Sequence, residues 1–343
     1  MSTTHQPGQL LFCGFEGTTL PDDLAALIRA GRIGGVILFV RNIEGPAQLR
    51  SLTRALHEQA PGDSPLLIAI DQEGGRVQRL RAPWTEWPPM RVLGDRDDLS
   101  LTGELAAALG RELIDLGIGL DFAPCVDVDT NPDNPIIGDR SFGRTPEAVG
   151  RHAARFVRSL QESGVAACAK HFPGHGDTET DSHLVLPRLD HDLARLEQIE
   201  LPPFRAAIEA GVASIMTAHI LFPPLDRERP ATLSPDVMSI LRSDLGYEGV
   251  VFSDDLEMKA VADHFDPATL VEQSLSAGVD SLLVCRRAEL RDEVLDRLEA
   301  QPDSRLASSL ARMEELKRRF SGDRGTDGSP PYASHEQLAK RIG

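Results

Sequence analysis

Short apolar runs alternate with longer amphipathic stretches along the whole chain. The runs fall at 10–15 (LLFCGF), 35–40 (GVILFV), 66–71 (LLIAID), 120–123 (LDFA), 167–172 (ACAKHF), 214–219 (SIMTAH), 249–254 (GVVFSD) and 281–285 (SLLVC). Each is a continuous run of mainly apolar residues rather than an alternating one, as expected of parallel strands covered on both faces. Helical periodicity fills the intervals, most clearly at 99–116, 146–162, 193–210 and 235–245. Ser234 is placed to cap the last of these, with Pro235 at its first position. Eight such strands separated by helical segments predict an α/β fold of the (β/α)8 barrel type. A doubly wound open sheet shares the same alternation and is the structural alternative. No repeat or low-complexity linker divides the chain, which predicts one catalytic domain over 1–343, with 301–343 as a C-terminal helix and tail. Within that tail, 321–332 (SGDRGTDGSPPY) is rich in glycine and proline and is expected to loop across the surface.

In a barrel the chemistry lies at the C-terminal ends of the strands and in the loops that follow. That rule turns the strand pattern into a map of polar residues. The third strand ends at Asp71 and runs into Gln72-Glu73-Gly74-Gly75-Arg76-Val77-Gln78-Arg79. Asp127, Asp129 and the loop 131–144 follow the fourth. Lys170 and His171 end the fifth, His219 the sixth, and Ser253-Asp254-Asp255 the seventh. Burying this many ionisable groups costs several kcal/mol each unless they are paired or wet. A purely structural ion-pair network is one reading; an active site is the other.

The richest loop is 172–187 (FPGHGDTETDSHLVLP). Within it Asp181 and His183 lie two residues apart, a spacing that allows a carboxylate to hold an imidazole in one tautomer and favour its charged form. Asp254 ends a buried strand, so a rigid support aims it into the pocket, and it is the natural nucleophile. Asp255 is expected to project differently and to support the site. Glu257 is expected in the first turn of the next helix. His171, His175, Asp181 and His183 are each plausible metal ligands. They lack HxH or HExxH spacing, however, and Lys170 places a cation among them, so no metal and no cofactor is expected. A Schiff-base aldolase using Lys170 is a further alternative.

Net charge is −17, from 53 acidic against 36 basic residues, a field that repels a phosphate backbone and argues against nucleic acid. No apolar stretch is long enough to span a membrane. The start MSTTHQPGQ lacks the basic and apolar regions of a signal peptide, which makes the cytoplasm the expected compartment. Cys13, Cys125, Cys168 and Cys285 are far apart in apolar runs and are expected as reduced core thiols.

Four segments carry a family resemblance: IAIDQEGGRVQRL (68–80), IIGDRSFG (136–143), AKHFPGHGDTETDSH (169–183) and VVFSDDLEMKA (250–260). The chain resembles glycoside hydrolase family 3, and within it the compact N-acetyl-β-glucosaminidase (β-hexosaminidase) branch. The likeness runs from about residue 8 to about residue 300. It implies that Asp254 is the nucleophile, His183 the acid/base and Asp181 its dyad partner. It implies that Asp71, Arg79, Arg140, Lys170 and His171 bind sugar, with Arg76 the alternative to Arg79. The second α/β domain that supplies a Glu acid/base in family β-glucosidases has no counterpart here.

The chemistry implied is a retaining double displacement on terminal β-linked N-acetylglucosamine, with muropeptide fragments of the cell wall as the expected substrates. Retaining glycosidases usually place two carboxylates about 5–5.5 Å apart. Here an imidazole of ordinary pKa about 6.5 replaces one of them. Phosphorolysis by the same residues, a metal-dependent barrel hydrolase and a non-catalytic sugar-binding module are the alternatives. The expected state is a monomer with no partner beyond its oligosaccharide substrate.

Overall fold

In the computed structural model, residues 6–180, 182, 185–322 and 328–343 are described. Eight strands close into a barrel: β1 (Leu11–Cys13), β2 (Gly35–Leu38), β3 (Leu67–Ile70), β4 (Leu120–Asp121), β5 (Ala166–Phe172), β6 (Ser214–Thr217), β7 (Val250–Asp255) and β8 (Ser281–Val284). Every neighbouring pair is parallel, and β1 closes the ring on β8 through Leu11–Leu282, Phe12–Leu283 and Cys13–Val284. All eight predicted runs form barrel strands, and the open-sheet alternative falls away. No helix among the described residues is long and apolar enough to cross a membrane.

Apolar side chains fill the barrel. Phe12 and Phe122 both meet Phe252 edge-on, at centroid distances of 5.0 and 5.4 Å. Such edge-to-face contacts add to the burial of three large rings. Phe122, Ile37, Met216 and Leu283 reach the upper layer and form the floor of the cavity above. The four cysteines are free and buried, as expected.

The helices depart from expectation where proline and packing intervene. Pro146–Glu162 forms as predicted, capped by the Thr145 side chain and started by Pro146. The predicted 193–210 helix is two, Leu193–Gln198 and Leu201–Glu209. Pro202 and Pro203 have no N–H for the preceding turn, so they begin a helix rather than continue one. Pro235–Ser239 is α-helical with the Ser234 cap in place, but the following turn, Ile240–Asp244, widens to π geometry. There Arg242 reaches the carbonyls of Tyr247 and Gly249 and the Asp280 carboxylate.

Beyond Asp303–Phe320 the tail forms a further helix, Ala333–Ile342, which packs on Leu99–Asp115. His335 Nδ1 lies 2.7 Å from Glu112, and the Tyr332 hydroxyl donates to Asp115 at 2.9 Å. The expected surface loop includes 323–327, which lie outside the described residues.

Phe252→Ala removes the ring that both other aromatics contact. Unfolding in urea is expected to show a loss of about 3–5 kcal/mol, the usual range for a buried Phe truncation. A loss below about 1 kcal/mol would mean that the barrel floor collapses to fill the space.

Candidate active site

A cavity of about 180 Å³ opens at the C-terminal end of the barrel, lined by Asp71, Glu73, Arg79, Arg140, Lys170, His171, His175, Ser182, Asp254 and Asp255 among others. Adjacent residues on a regular strand face opposite ways. Here the β5–β6 ladder slips between Lys170 and Phe172, and both Lys170 and His171 line the cavity. The β8–β7 ladder slips between Ser281 and Leu283, and both Asp254 and Asp255 line it too.

One wall is a charge network. Lys170 Nζ bridges Asp71 Oδ1 at 2.9 Å and Glu73 Oε1 at 2.7 Å. Arg140 grips both oxygens of Glu73 at 2.8 Å, and Arg79 donates to Asp71 Oδ2 at 2.9 Å. Burial alone would raise the two carboxyls, but Lys170 with Arg79, and Arg140 with Lys170, hold them well below the usual carboxylate range. Burial would likewise discharge Lys170, yet Asp71 and Glu73 push its value up and keep it cationic. Arg79 rather than Arg76 is the cavity residue. Arg76 turns away to the carbonyls of Pro135 and Ile137 and to Asp139. Phe39 stands at the rim, with the guanidinium carbons of Arg41 and Arg79 at 4.3 and 5.6 Å from its ring centre.

Sequence reasoning left Glu73 and Asp127 without roles, although both stood in the strand-end map. Glu73 follows Asp71 by two residues, the period that returns an extended chain to the same face. It belongs to an unpredicted hairpin of Gln72–Gly74 and Val77–Gln78, whose turn is made by Gly74 and Gly75 at φ 100° and 57°. A Cβ on Gly75 would also meet Pro89 at 2.7 Å.

Asp127 accepts from His171 Nδ1 at 2.8 Å and from the backbone N–H of His171 and His175 at 3.2 and 2.6 Å. With Nδ1–H directed to Asp127, His171 Nε2 is left as the acceptor facing Arg140 at 3.4 Å. Cys125, Asp127 and His171 bring ligand atoms within 4.8 Å of one another, the geometry of a candidate metal site. Burial, however, pushes the Cys125 thiol well up, and its Sγ is directed at Asp127 Oδ2 at 3.2 Å. Asp127 already has a full set of donors, so the trio reads as a hydrogen-bonded hub.

Asp254 Oδ1 accepts from the Asp255 N–H at 2.8 Å. Asp255 Oδ1 accepts from the N–H groups of Glu257 and Cys285, at 3.1 and 3.2 Å, which ties the end of β7 to that of β8. Burial raises the Asp255 carboxyl to about 7 against those hydrogen bonds. Glu257 is not in a first helical turn, since the helix begins at Lys259. It accepts instead from the N–H groups of Arg286 and Arg287 ahead of helix Ala288–Glu299.

His219 contacts Thr232 Oγ1 and the Asp255 carbonyl, and Asp129 pairs with Arg91 and Arg144. Neither His219 nor Asp129 is among the cavity residues. Asp181 and His183 lie outside the described residues.

The family model described as Glycosyl hydrolase family 3 N terminal domain matches residues 4–316. The chain is 40% identical over 338 residues to Beta-hexosaminidase A of Pseudoalteromonas piscicida, covering 89% of this chain and 56% of that longer protein. It is 37% identical over 326 residues to Beta-hexosaminidase of Nitrosomonas eutropha, covering 90% and 93%. The crystal structure of NagZ from Neisseria gonorrhoeae in complex with N-trifluoroacetyl-D-glucosamine superposes with a TM-score of 0.84 at 35% identity, covering 97% of this chain and 96% of that one.

Below the wall, at the end of β4, Asp121 Oδ1 accepts from the Gln72 N–H at 2.9 Å, and its Oδ2 has no partner among the described residues. Burial raises this carboxyl to about 8, against the opposing pull of the Gln72 N–H and Lys170. The unfolded value is about 3.9, so the native state holds the extra proton between about pH 4 and that raised value. The contribution of Asp121 to stability is therefore full below the unfolded value and falls as pH rises through the window. Asp121→Asn removes the titration. Relative to wild type, the variant is expected to gain stability in urea unfolding as pH is raised from about 5 to about 8. A difference that stays constant across that range would mean that Asp121 is already ionised at the lower pH.

Proposed function

This chain belongs to glycosyl hydrolase family 3 and is a hydrolase of its β-hexosaminidase type, and we propose that it is a retaining exo-enzyme releasing terminal β-linked N-acetylglucosamine. The observation that carries this reading is the pairing of a strand-end carboxylate, Asp254, with an ion-paired wall of Asp71, Glu73, Lys170, Arg79 and Arg140 in one small cavity. Fixed donors and acceptors on that wall suit the vicinal hydroxyls of one sugar ring. Asp71, Arg79, Arg140, Lys170 and His171 serve as its binding groups.

In the first step a carboxylate oxygen of Asp254 bonds to the anomeric carbon as the bond to the departing oxygen breaks. The His183 imidazolium gives its proton to that oxygen, and Asp181 orients the ring and stabilises its charge. In the second step water attacks the same carbon, His183 takes the water proton, and the bond to Asp254 breaks. The sugar leaves with its configuration retained. Neither step uses a cofactor.

The ligand bound in the gonococcal structure, an N-acylated glucosamine, supports the sugar class. Resemblance in the KHFPGHG…DSH motif supports muropeptide fragments as the source, in cell-wall recycling in the cytoplasm. The working unit we propose is a monomer with one catalytic barrel, residues 301–343 forming its helical end and tail.

A chromogenic β-N-acetylglucosaminide beside the matching β-glucoside, with and without phosphate, tests the reaction. Selective hydrolysis of the first, without dependence on phosphate, is the expected result. Asp254→Asn is expected to lower kcat a thousandfold or more, on the order of magnitude for losing a covalent nucleophile, while the protein remains folded and still binds N-acetylglucosamine. Asp255→Asn should be much milder, and the reverse ranking would transfer the nucleophile to Asp255.

A further inference from the structure

The hairpin that carries Glu73 is held from outside the barrel, by a segment that none of the steps above uses. Residues 84–89 buttress its turn. The Gly75 N–H donates to the Trp87 carbonyl at 2.8 Å, and the Trp87 N–H donates to Gln78 Oε1 at 3.2 Å. Gly74 lies so close to this segment that an added Cβ would come within 2.6 Å of the Pro88 carbonyl oxygen. The turn and the segment are therefore packed as one unit.

The C-terminal helix Ala333–Ile342 holds that unit in turn. The connecting group is Glu112, buried on helix Leu99–Asp115. Its Oε1 accepts from the Thr85 hydroxyl at 2.5 Å and from His335 Nδ1–H at 2.7 Å, and its Oε2 accepts from the Thr85 N–H at 3.4 Å. A buried carboxyl group needs donors, and among the described residues Thr85 and His335 supply them. His335 also meets the segment directly. Its ring centre lies 6.0 Å from that of Trp87, and the ring stacks on Tyr332 at 5.1 Å. One side chain of the last helix thus reaches Thr85 through Glu112 and Trp87 through its own ring.

We propose that His335 is a positioning residue for sugar binding: through Glu112 and Thr85, and through Trp87, it fixes the hairpin turn and with it the Glu73 side chain that sets Lys170 and Arg140 in the cavity wall. The inference rests on the reading of that wall as the sugar-binding surface. Glu73 lies between Gln72 and Gly74, both paired across the hairpin, and its oxygens hold Lys170 at 2.7 Å and Arg140 at 2.8 Å. A tilt of the turn therefore displaces both cations. Groups that must be re-placed when a ligand arrives bind it less tightly than groups already in position. On this reading the wall meets ring hydroxyls rather than the breaking bond. The loss then falls equally on ground state and transition state, and kcat stays in place.

The test measures kcat and KM on a chromogenic β-N-acetylglucosaminide, the inhibition constant of free N-acetylglucosamine, and amide hydrogen exchange over residues 72–78. The proteins are wild type, His335→Ala, His335→Asn, Thr85→Val and Arg79→Ala, each assayed well below its unfolding temperature. His335→Ala is expected to raise KM and the inhibition constant together by about three- to tenfold, with kcat within about twofold of wild type. Exchange over 72–78 should quicken. Asparagine places an N–H donor near the position of Nδ1, so His335→Asn should return the inhibition constant to within about twofold of wild type. Thr85→Val removes a donor to Glu112 from the other side and should repeat the His335→Ala pattern, so a folding defect in one variant leaves the other informative. A lowered unfolding temperature with exchange and inhibition constant at wild-type values would mean that the helix only stabilises the fold, and would overturn the proposal. A loss confined to kcat would overturn it as well. Arg79→Ala strikes the wall directly. If that variant also leaves the inhibition constant unchanged, the sugar-binding reading of the wall falls, and the role of His335 with it.

Discussion

The site depends on one buried cation. Lys170 sits at the end of β5 with almost no exposure, and it is tolerable there because two carboxylates from the end of β3 and its hairpin meet it directly. Removing one partner of a buried charge pair typically costs about 3–5 kcal/mol, because the other is left without compensation. Each group is therefore locked by the others: Lys170 needs Asp71 and Glu73, Glu73 needs Arg140, and Asp71 needs Arg79. The members come from β3, the hairpin after it, the loop after β4, and β5. The electrostatics thus joins the ends of β3, β4 and β5, three strands that the barrel hydrogen bonds also join. A wall whose charges are already paired has little reorganisation left to undergo when a polar ligand meets it, which is the condition for electrostatic preorganisation.

Asp127 does for the backbone what Lys170 does for the side chains. Its carboxylate gathers the end of β5 and the start of the loop that follows, through the N–H groups of His171 and His175 and the ring of His171. Burial would raise this carboxyl, but His171 and His175 together outweigh it and keep its value low. The loop is consequently anchored at its root. Asn134 extends the anchoring to the loop after β4. Two neighbouring strand-end loops share one hydrogen-bonded base, and a distortion in either is transmitted to the His171 ring in the cavity.

The barrel was legible because its signal is local. Each strand is a continuous run of mainly apolar residues, and burial on both faces leaves no alternation to misread. Helix boundaries were legible where a cap and a proline agree, as at Thr145-Pro146 and Ser234-Pro235, and illegible where packing overrides periodicity, as at Ile240–Asp244. The helix Ala333–Ile342 escaped notice because its docking on Leu99–Asp115 depends on contacts more than two hundred positions apart in the chain. In the site, strand-end position found Lys170, His171, Asp71 and Asp254. It could not rank Arg76, in the hairpin turn, against Arg79, just beyond the hairpin's second strand. Nor could it weigh Glu73 or Asp127, whose importance lies in the partners they hold. Asp255 was expected to point elsewhere on the rule of alternation, and the slip in the β8–β7 ladder is what sets that rule aside.

That slip has a chemical consequence. Two adjacent aspartates facing one cavity would ordinarily oppose each other's ionisation, and the Asp254 charge is among the influences that raise the Asp255 carboxyl. Asp255 answers by accepting hydrogen bonds from the Glu257 and Cys285 N–H groups, which fixes its Oδ1 on backbone donors. Its N–H, in turn, donates to Asp254 Oδ1. The second aspartate therefore works as part of the scaffold: it orients the first through its main chain and ties β7 to β8 through its side chain. With its carboxyl held near 7, it also sheds part of its negative charge under mildly acidic conditions. A pair that looks redundant in sequence is thus divided by its hydrogen bonds: Asp255 is tied to backbone donors of the scaffold, and Asp254 takes its place from the Asp255 N–H.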